Sequence, residues 1–158
     1  MREVSAINTH DQLNSFLVEV FHSIMHSESQ DLKALGYKDL SISELNVIEA
    51  ACQLEPGGQN SARGIAQLVG VTPGTPTTAI NVLEKKGYLL RSPDPYDRRR
   101  IRVSATELGR KADQDHRRIH NRMVEGVASL LDEEEMQALL RALESISSFF
   151  STERKIKS

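Results

Sequence analysis

The sequence predicts a mainly α-helical fold with one small β-hairpin. Three observations predict it. Apolar residues recur at helical spacing through most of the chain. Gly70-Val71 makes a tight break between two short helical runs. An arginine-rich tip, Asp97-Arg98-Arg99-Arg100, separates two short strand-like segments. Three helices, a hairpin and further helices in that order form a winged helix-turn-helix carried between N- and C-terminal helices.

The elements follow in chain order. Leu13, Phe16, Leu17, Val20, Phe21 and Ile24 keep one helical face apolar and predict a first helix over about 9–29. Gly36 and Tyr37 lie in a connection. Ser41 and Glu44 have the spacing of a capping box, which opens a second helix running to about Gln53. Pro56-Gly57-Gly58-Gln59-Asn60 is a loop by composition. Ser61 caps a short third helix that turns Ile65, Ala66 and Leu68 inward and ends at Gly70. Thr72 caps a fourth, Pro73 takes its tolerated first-turn position, and Gly87 stops it. Tyr88 to Arg91 and Arg100 to Ser104 are the two wing strands. Thr106 starts a fifth helix reaching about Leu131. Asp132 caps a sixth to about Phe150, with Asp132 to Glu135 placed against its positive end and STERKIKS left as a frayed tail.

Composition narrows the function. The 158 residues are read as one domain, with a winged-helix lobe over about 38–106 and flanking helices over about 9–29 and 107–151. One cysteine, Cys52, excludes an internal disulfide framework and fits a reducing compartment, where it reads as a small buried hydrophobe. No apolar run approaches ~18 residues and the N-terminus has no signal-peptide core, so a cytoplasmic protein without membrane contact is expected. No catalytic triad, phosphate loop or dinucleotide fingerprint occurs, so neither an enzyme nor a bound cofactor is expected.

Net charge is -2, yet twelve of the twenty Lys and Arg lie between Lys85 and Arg122, opposed there by five acids. A basic face on a near-neutral body suits docking to phosphates. On the fourth helix Val71, Ala79, Ile80 and Leu83 are spaced to pack inward. Thr75, Thr77, Thr78 and Asn81 then face outward, with Thr72 near the phosphates. Asn matches the adenine edge, and Thr offers a hydroxyl and a methyl to thymine. The wing tip adds arginines for a narrow minor groove, with Asp97 as a brace that holds Arg99 extended. A winged-helix module that binds protein instead of DNA is the competing class, and Arg98 with Arg99 discriminates the two.

These residues resemble the MarR family of dimeric winged-helix regulators. The family's D-x-R wing motif stands here as Asp97-Arg98-Arg99, while its Leu-Thr after the wing is matched in part by Ala105-Thr106. The resemblance implies a homodimer joined by the first, fifth and sixth helices and bound to a pseudopalindromic operator in double-stranded DNA. It assigns Arg99 to the minor groove, Asp97 as its brace, and Arg98 to a phosphate, with Arg100 beside them. It places Thr72, Thr75, Thr77 and Thr78 on the recognition helix. VTPGTPTTAINVLEKKGYL together with HRRIHNRMV is also similar to the MarR-type repressors of fatty-acid synthesis. That resemblance implies an acyl carrier protein bearing an acyl chain as corepressor. His116, Arg117, Arg118, His120 and Arg122 are then its docking stretch. Phe16, Val20, Ile24, Ile119, Met123 and Val127 line either an acyl slot or simply the dimer core. One departure stands out: Pro76 lacks an N–H and restricts Thr75, so the recognition helix is expected to start late or distort in its first turn.

Histidine spacing leaves a second kind of effector open, beside small phenolic or lipophilic ligands. His22 and His26, and likewise His116 and His120, are four apart and share a helix face, as metal ligands do. No thiolate or H-E-x-x-H pattern accompanies them.

Overall fold

Local chemistry sets most element ends in the computed structural model, which describes residues 9–70 and 74–156. The chain divides into two compact units, residues 1–117 and 118–158. In the first lie α1 (Thr9–Ala34), α2 (Ile42–Leu54), α3 (Ala62–Val69), α4 (Gly74–Lys85), β1 (Leu89–Pro93) and β2 (Ile101–Ala105). Helix α5 (Glu107–Ala128) begins there and continues into the second unit, which ends with α6 (Glu133–Ile156).

Helix α1 runs five residues beyond the expected end. The polar run Ser27 to Asp31 hides the continuation, because the apolar residue that anchors it, Leu32, comes only afterwards and is buried. Gly36 then takes φ 94°, and the Tyr37 N–H reaches the Leu32 carbonyl at 3.0 Å, closing the helix with a left-handed cap. The capping box of α2 is present in both directions: Ser41 N donates to Glu44 Oε2 at 2.9 Å, and Glu44 N to Ser41 Oγ at 3.2 Å. Ser61 Oγ caps α3 at Gly64 N, and Gly70 ends it at φ 74°.

The expected cap Thr72 and first-turn Pro73 lie, with Val71, outside the described residues. Helix α4 is described from Gly74, and its backbone is helical on both sides of Pro76. That position accommodates the proline without a break. Gly87, at φ 82°, turns the chain into the hairpin.

Strands β1 and β2 pair antiparallel from Leu89↔Ala105 to Pro93↔Ile101, one residue further along than the sequence suggests at each start. Both strands are edges, so Pro93 removes no interior ladder bond. The core of the first unit is Leu45, Ile48, Ala51, Ile65, Ile80, Leu83, Val103 and Ala112, all at most 1% exposed. It joins α2, α3 and α4 to the base of the hairpin.

In the second unit α5 stops at Ala128, three residues early, where Leu130 N and Leu131 N tighten onto Val127 and Ala128 carbonyls. Asp132 and Glu135 form a reciprocal capping box at 2.8 and 2.9 Å. Helix α6 then continues to Ile156, so much of the expected tail is helical.

Candidate nucleic-acid interface

The first unit carries a recognition helix and a wing. On α4, Ile80 and Leu83 are fully buried and Ala79 is half-buried, which fixes the opposite face outward. Thr77, Thr78 and Asn81 are exposed on that face. The Thr75 side chain, like Thr72, lies outside the described residues. Asn81 Oδ1 accepts a 2.8 Å hydrogen bond from Arg91 Nη2, and the other terminal nitrogen of Arg91 meets Glu84 Oε2.

The wing tip is organised by Asp94, which is 5% exposed. Its Oδ1 accepts from the N–H groups of Tyr96 and Asp97 at 2.8 and 3.1 Å, the side-chain turn that aspartate makes readily. Its Oδ2 accepts from Arg102 Nε at 2.7 Å. The arginine, together with those two N–H groups, outweighs burial and holds the carboxyl down at about 2. Asp97 does meet Arg99, at the backbone: its Oδ1 accepts from Arg99 N at 3.0 Å. The side-chain ion pair of the wing is therefore Asp94 with Arg102, and Asp97 shapes the tip without holding the Arg99 guanidinium. Arg98, Arg99 and Arg100 are all exposed. Their charges project from a tip whose backbone is fixed by Asp94 N to Arg100 O and Arg100 N to Asp97 O.

Asn60, which composition alone marks only as loop, clamps the wing to the helical body. It is completely buried, donates from Nδ2 to Val103 O at 3.0 Å and Ser104 Oγ at 3.2 Å, and accepts from Val103 N at 2.7 Å through its own carbonyl. Below it, Thr106 N donates to Tyr88 O, Thr106 Oγ1 donates to Gly87 O at 2.7 Å, and Gly109 N donates back to Thr106 Oγ1. Tyr88 is buried and donates to Asp39 Oδ1 at 3.1 Å; burial first, then that acceptor, push its phenol up to about 12. Lys86 joins the same corner, 2.7 Å from Glu44. Burial raises the Glu44 carboxyl, but Lys86 and Ser41 outweigh it and leave its pKa lowered.

The residues expected to dock a carrier protein divide. His116 is 1% exposed, so it faces the interior and offers no surface contact in this chain. Arg117 is exposed but holds Asp113 at 3.0 Å. Arg118 and Arg122 are exposed and His120 is half-buried, all in the second unit. Of the apolar set, Phe16 and Val20 are exposed and Ile24 half-buried on α1. In the second unit Ile119 is buried, Met123 half-buried and Val127 exposed.

The metal candidates also divide. His22 and His26 are exposed, and His26 Nε2 sits 2.7 Å from Gln30. Around His116 the neighbours are carboxylates: a ligand atom of Glu28, itself 6% exposed, lies within 4.8 Å, and Glu49 Oε2 is 3.8 Å from Nδ1. The signal in the sequence was the helical spacing of His116 with Ile119 and Met123, which puts the imidazole on the apolar face. Cys52 is half-buried, and burial, with Asp113 nearby, pushes its thiol up to about 11, well away from a reactive thiolate.

Comparison with known proteins agrees with this architecture. The MarR family model matches residues 53–101, from the end of α2 to the first residue of β2. The chain is 28% identical over 90 residues to the Bacillus subtilis HTH-type transcriptional regulator YwhA, covering 57% of this chain and 65% of that one. It is 33% identical over 87 residues to B. subtilis YwaE, covering 53% of this chain and about half, 51%, of that regulator. Among solved structures, Streptococcus pneumoniae FabT in complex with DNA is similar at a TM-score of 0.82 and 28% identity, over 90% of this chain and 98% of FabT. The Staphylococcus aureus MepR–DNA complex shares the fold at a TM-score of 0.73 and 21% identity, over 87% and 97% of the two chains.

Proposed function

We propose that this chain, which belongs to the MarR family of winged-helix proteins, is a homodimeric DNA-binding repressor of fatty-acid synthesis genes. The observation that carries the reading is the exposed face of α4 standing beside a rigid, arginine-tipped wing in one unit. Thr77, Thr78 and Asn81 suit base edges in the major groove. Arg98, Arg99 and Arg100 suit phosphates and the minor groove. The likeness to FabT extends along nearly the whole chain and supports the choice of genes. No described helix is long and apolar enough to cross a membrane.

Dimerisation follows from unpartnered apolar surface. On α1, Leu13, Phe16, Leu17, Val20 and Phe21 are 47–62% exposed, and on α6 Leu140, Leu143, Phe149 and Phe150 are 50–60% exposed. Apolar stripes of this extent are unfavourable in a monomer and mark association surfaces. A twofold dimer reads two half-sites about one helical turn apart, ~10 base pairs between centres.

The corepressor is an acyl chain carried on acyl carrier protein, an acidic partner for which exposed Arg118 and Arg122 are suited. Binding acts by changing the separation of the two recognition helices. Gel-shift titration on the protein's own promoter region, with and without acyl carrier protein bearing a long acyl chain, tests this. Tighter operator binding with the acylated carrier is expected. An unchanged titration at saturating carrier removes the corepressor and leaves the DNA-binding reading standing.

A metal ion is the second effector reading, favoured by the carboxylates of Glu28 and Glu49 beside buried His116. Operator affinity that is unchanged by saturating zinc or iron removes it.

A further inference from the structure

The three-way contact of Arg91, Glu84 and Asn81 joins the wing strand to the recognition helix. Arg91 sits on β1, half-buried, and its planar fork spans two acceptors on α4. A guanidinium only donates, so the atom of Asn81 turned toward it is the carbonyl oxygen. Asn81 is exposed, and the other end of its amide, the nitrogen with both its hydrogens, only donates. A bidentate contact with adenine needs the oxygen and the nitrogen of the same amide presented together to one base edge. Arg91 draws the oxygen away from that edge.

We propose that Arg91 is a positioning residue for base specificity: it holds Asn81 as a hydrogen-bond donor, so that Asn81 selects guanine, whose O6 and N7 both accept, over adenine. The proposal rests on the reading of α4 as the recognition helix. Glu84 has its own part in the device. It neutralises Arg91 and holds its second arm, so the guanidinium stays on α4 and is not drawn to a phosphate. A pair of net zero charge adds nothing to the counterion release that sets salt dependence.

The test is selection of bound duplexes from a randomised DNA library by the purified full chain, followed by affinity measurements over a range of salt. Asn81→Ala identifies the base position that Asn81 reads, as the position whose preference it abolishes. Wild-type protein is expected to prefer guanine there. Arg91→Met, which keeps the aliphatic stem, is expected to free the oxygen and move the preference toward adenine by about tenfold, the scale of one good bidentate contact. Combined with Glu84→Gln, so that no carboxylate is left unpaired, its salt dependence is expected to match wild type. Arg91→Leu, which likewise removes every donor, should move the preference the same way and guards against poor folding of the Met variant. An unchanged base preference in both variants overturns the proposal. So does a salt dependence shallower by about one phosphate contact, which would make Arg91 an ordinary backbone-binding arginine. Loss of no position in Asn81→Ala overturns it too. Wild-type protein that enriches no sequence at all sinks the DNA-regulator reading itself, a result distinct from any of these.

Discussion

Asn60 and Val103 are paired twice, 43 positions apart: the side-chain amide of one donates to the carbonyl of the other, and the Val103 N–H donates back to the Asn60 carbonyl. A loop residue and a strand residue thereby make one extra rung beside the two-stranded wing. Asn60→Ala removes the side-chain half and leaves the Val103 carbonyl buried without that donor. A loss of about 1–3 kcal/mol in unfolding free energy is expected, measured by urea denaturation. A change below a few tenths would mean that the rung is not part of what holds the wing.

Asp94 makes a prediction about pH. Its folded value, about 2, lies below the ordinary 3.8, so it stabilises the wing above about pH 4 and that contribution is lost as pH falls toward 2. At neutral pH, Asp94→Ala removes the acceptor of Tyr96 N, Asp97 N and Arg102 Nε together. Hydrogen exchange at those two amides should accelerate and operator affinity should fall, although no DNA contact is assigned to Asp94. Unchanged exchange at both amides would show that the tip is shaped by something else.

Arg98→Ala with Arg99→Ala tests the exposed tip directly. If each arginine neutralises one phosphate, the slope of log affinity against log salt should flatten by about two in the double variant. Specific binding that persists with the same slope at physiological salt would place these arginines outside the interface.

Two glycines of α5 offer a matched pair. A Cβ at Gly109 would run into the Tyr88 carbonyl, whereas one at Gly126 meets nothing within 4 Å. Gly109→Ala is expected to destabilise by about 1–3 kcal/mol through overpacking. Gly126→Ala is expected to stabilise by roughly 0.5–1 kcal/mol, because a helix interior disfavours glycine. Thermal melts of the two variants should therefore move in opposite directions.

What was legible in the sequence was chemistry that acts within a few residues. Ser41 with Glu44, Ser61 before Gly64, and Gly87 after the recognition helix each satisfy local backbone groups, so their spacing alone located helix ends. The inward set Ala79, Ile80 and Leu83 was likewise readable from period. Asp94 and Asn60 were not, because their partners Arg102 and Val103 are brought to them only by the hairpin and the core. His116 was misplaced on the surface because its charged neighbours Arg117 and Arg118 drew attention from its place on the same face as Ile119. The end of α1 was missed for the same kind of reason, a polar run preceding one decisive leucine.

The junction at Tyr88, Thr106 and Gly109 has a mechanical consequence. The base of the hairpin and the first turn of α5 share hydrogen bonds there, and the missing side chain of Gly109 lets them touch. Were the Asn60–Val103 rung released, the wing would behave as a lever arm whose fulcrum is the start of α5. Five strand residues give an arm of about 16 Å. A tilt of ~10° at the start of α5 then sweeps the arginine tip through about 3 Å, a distance comparable to one hydrogen bond. A turn of α5 by so little would shift the tip without any change in the wing itself.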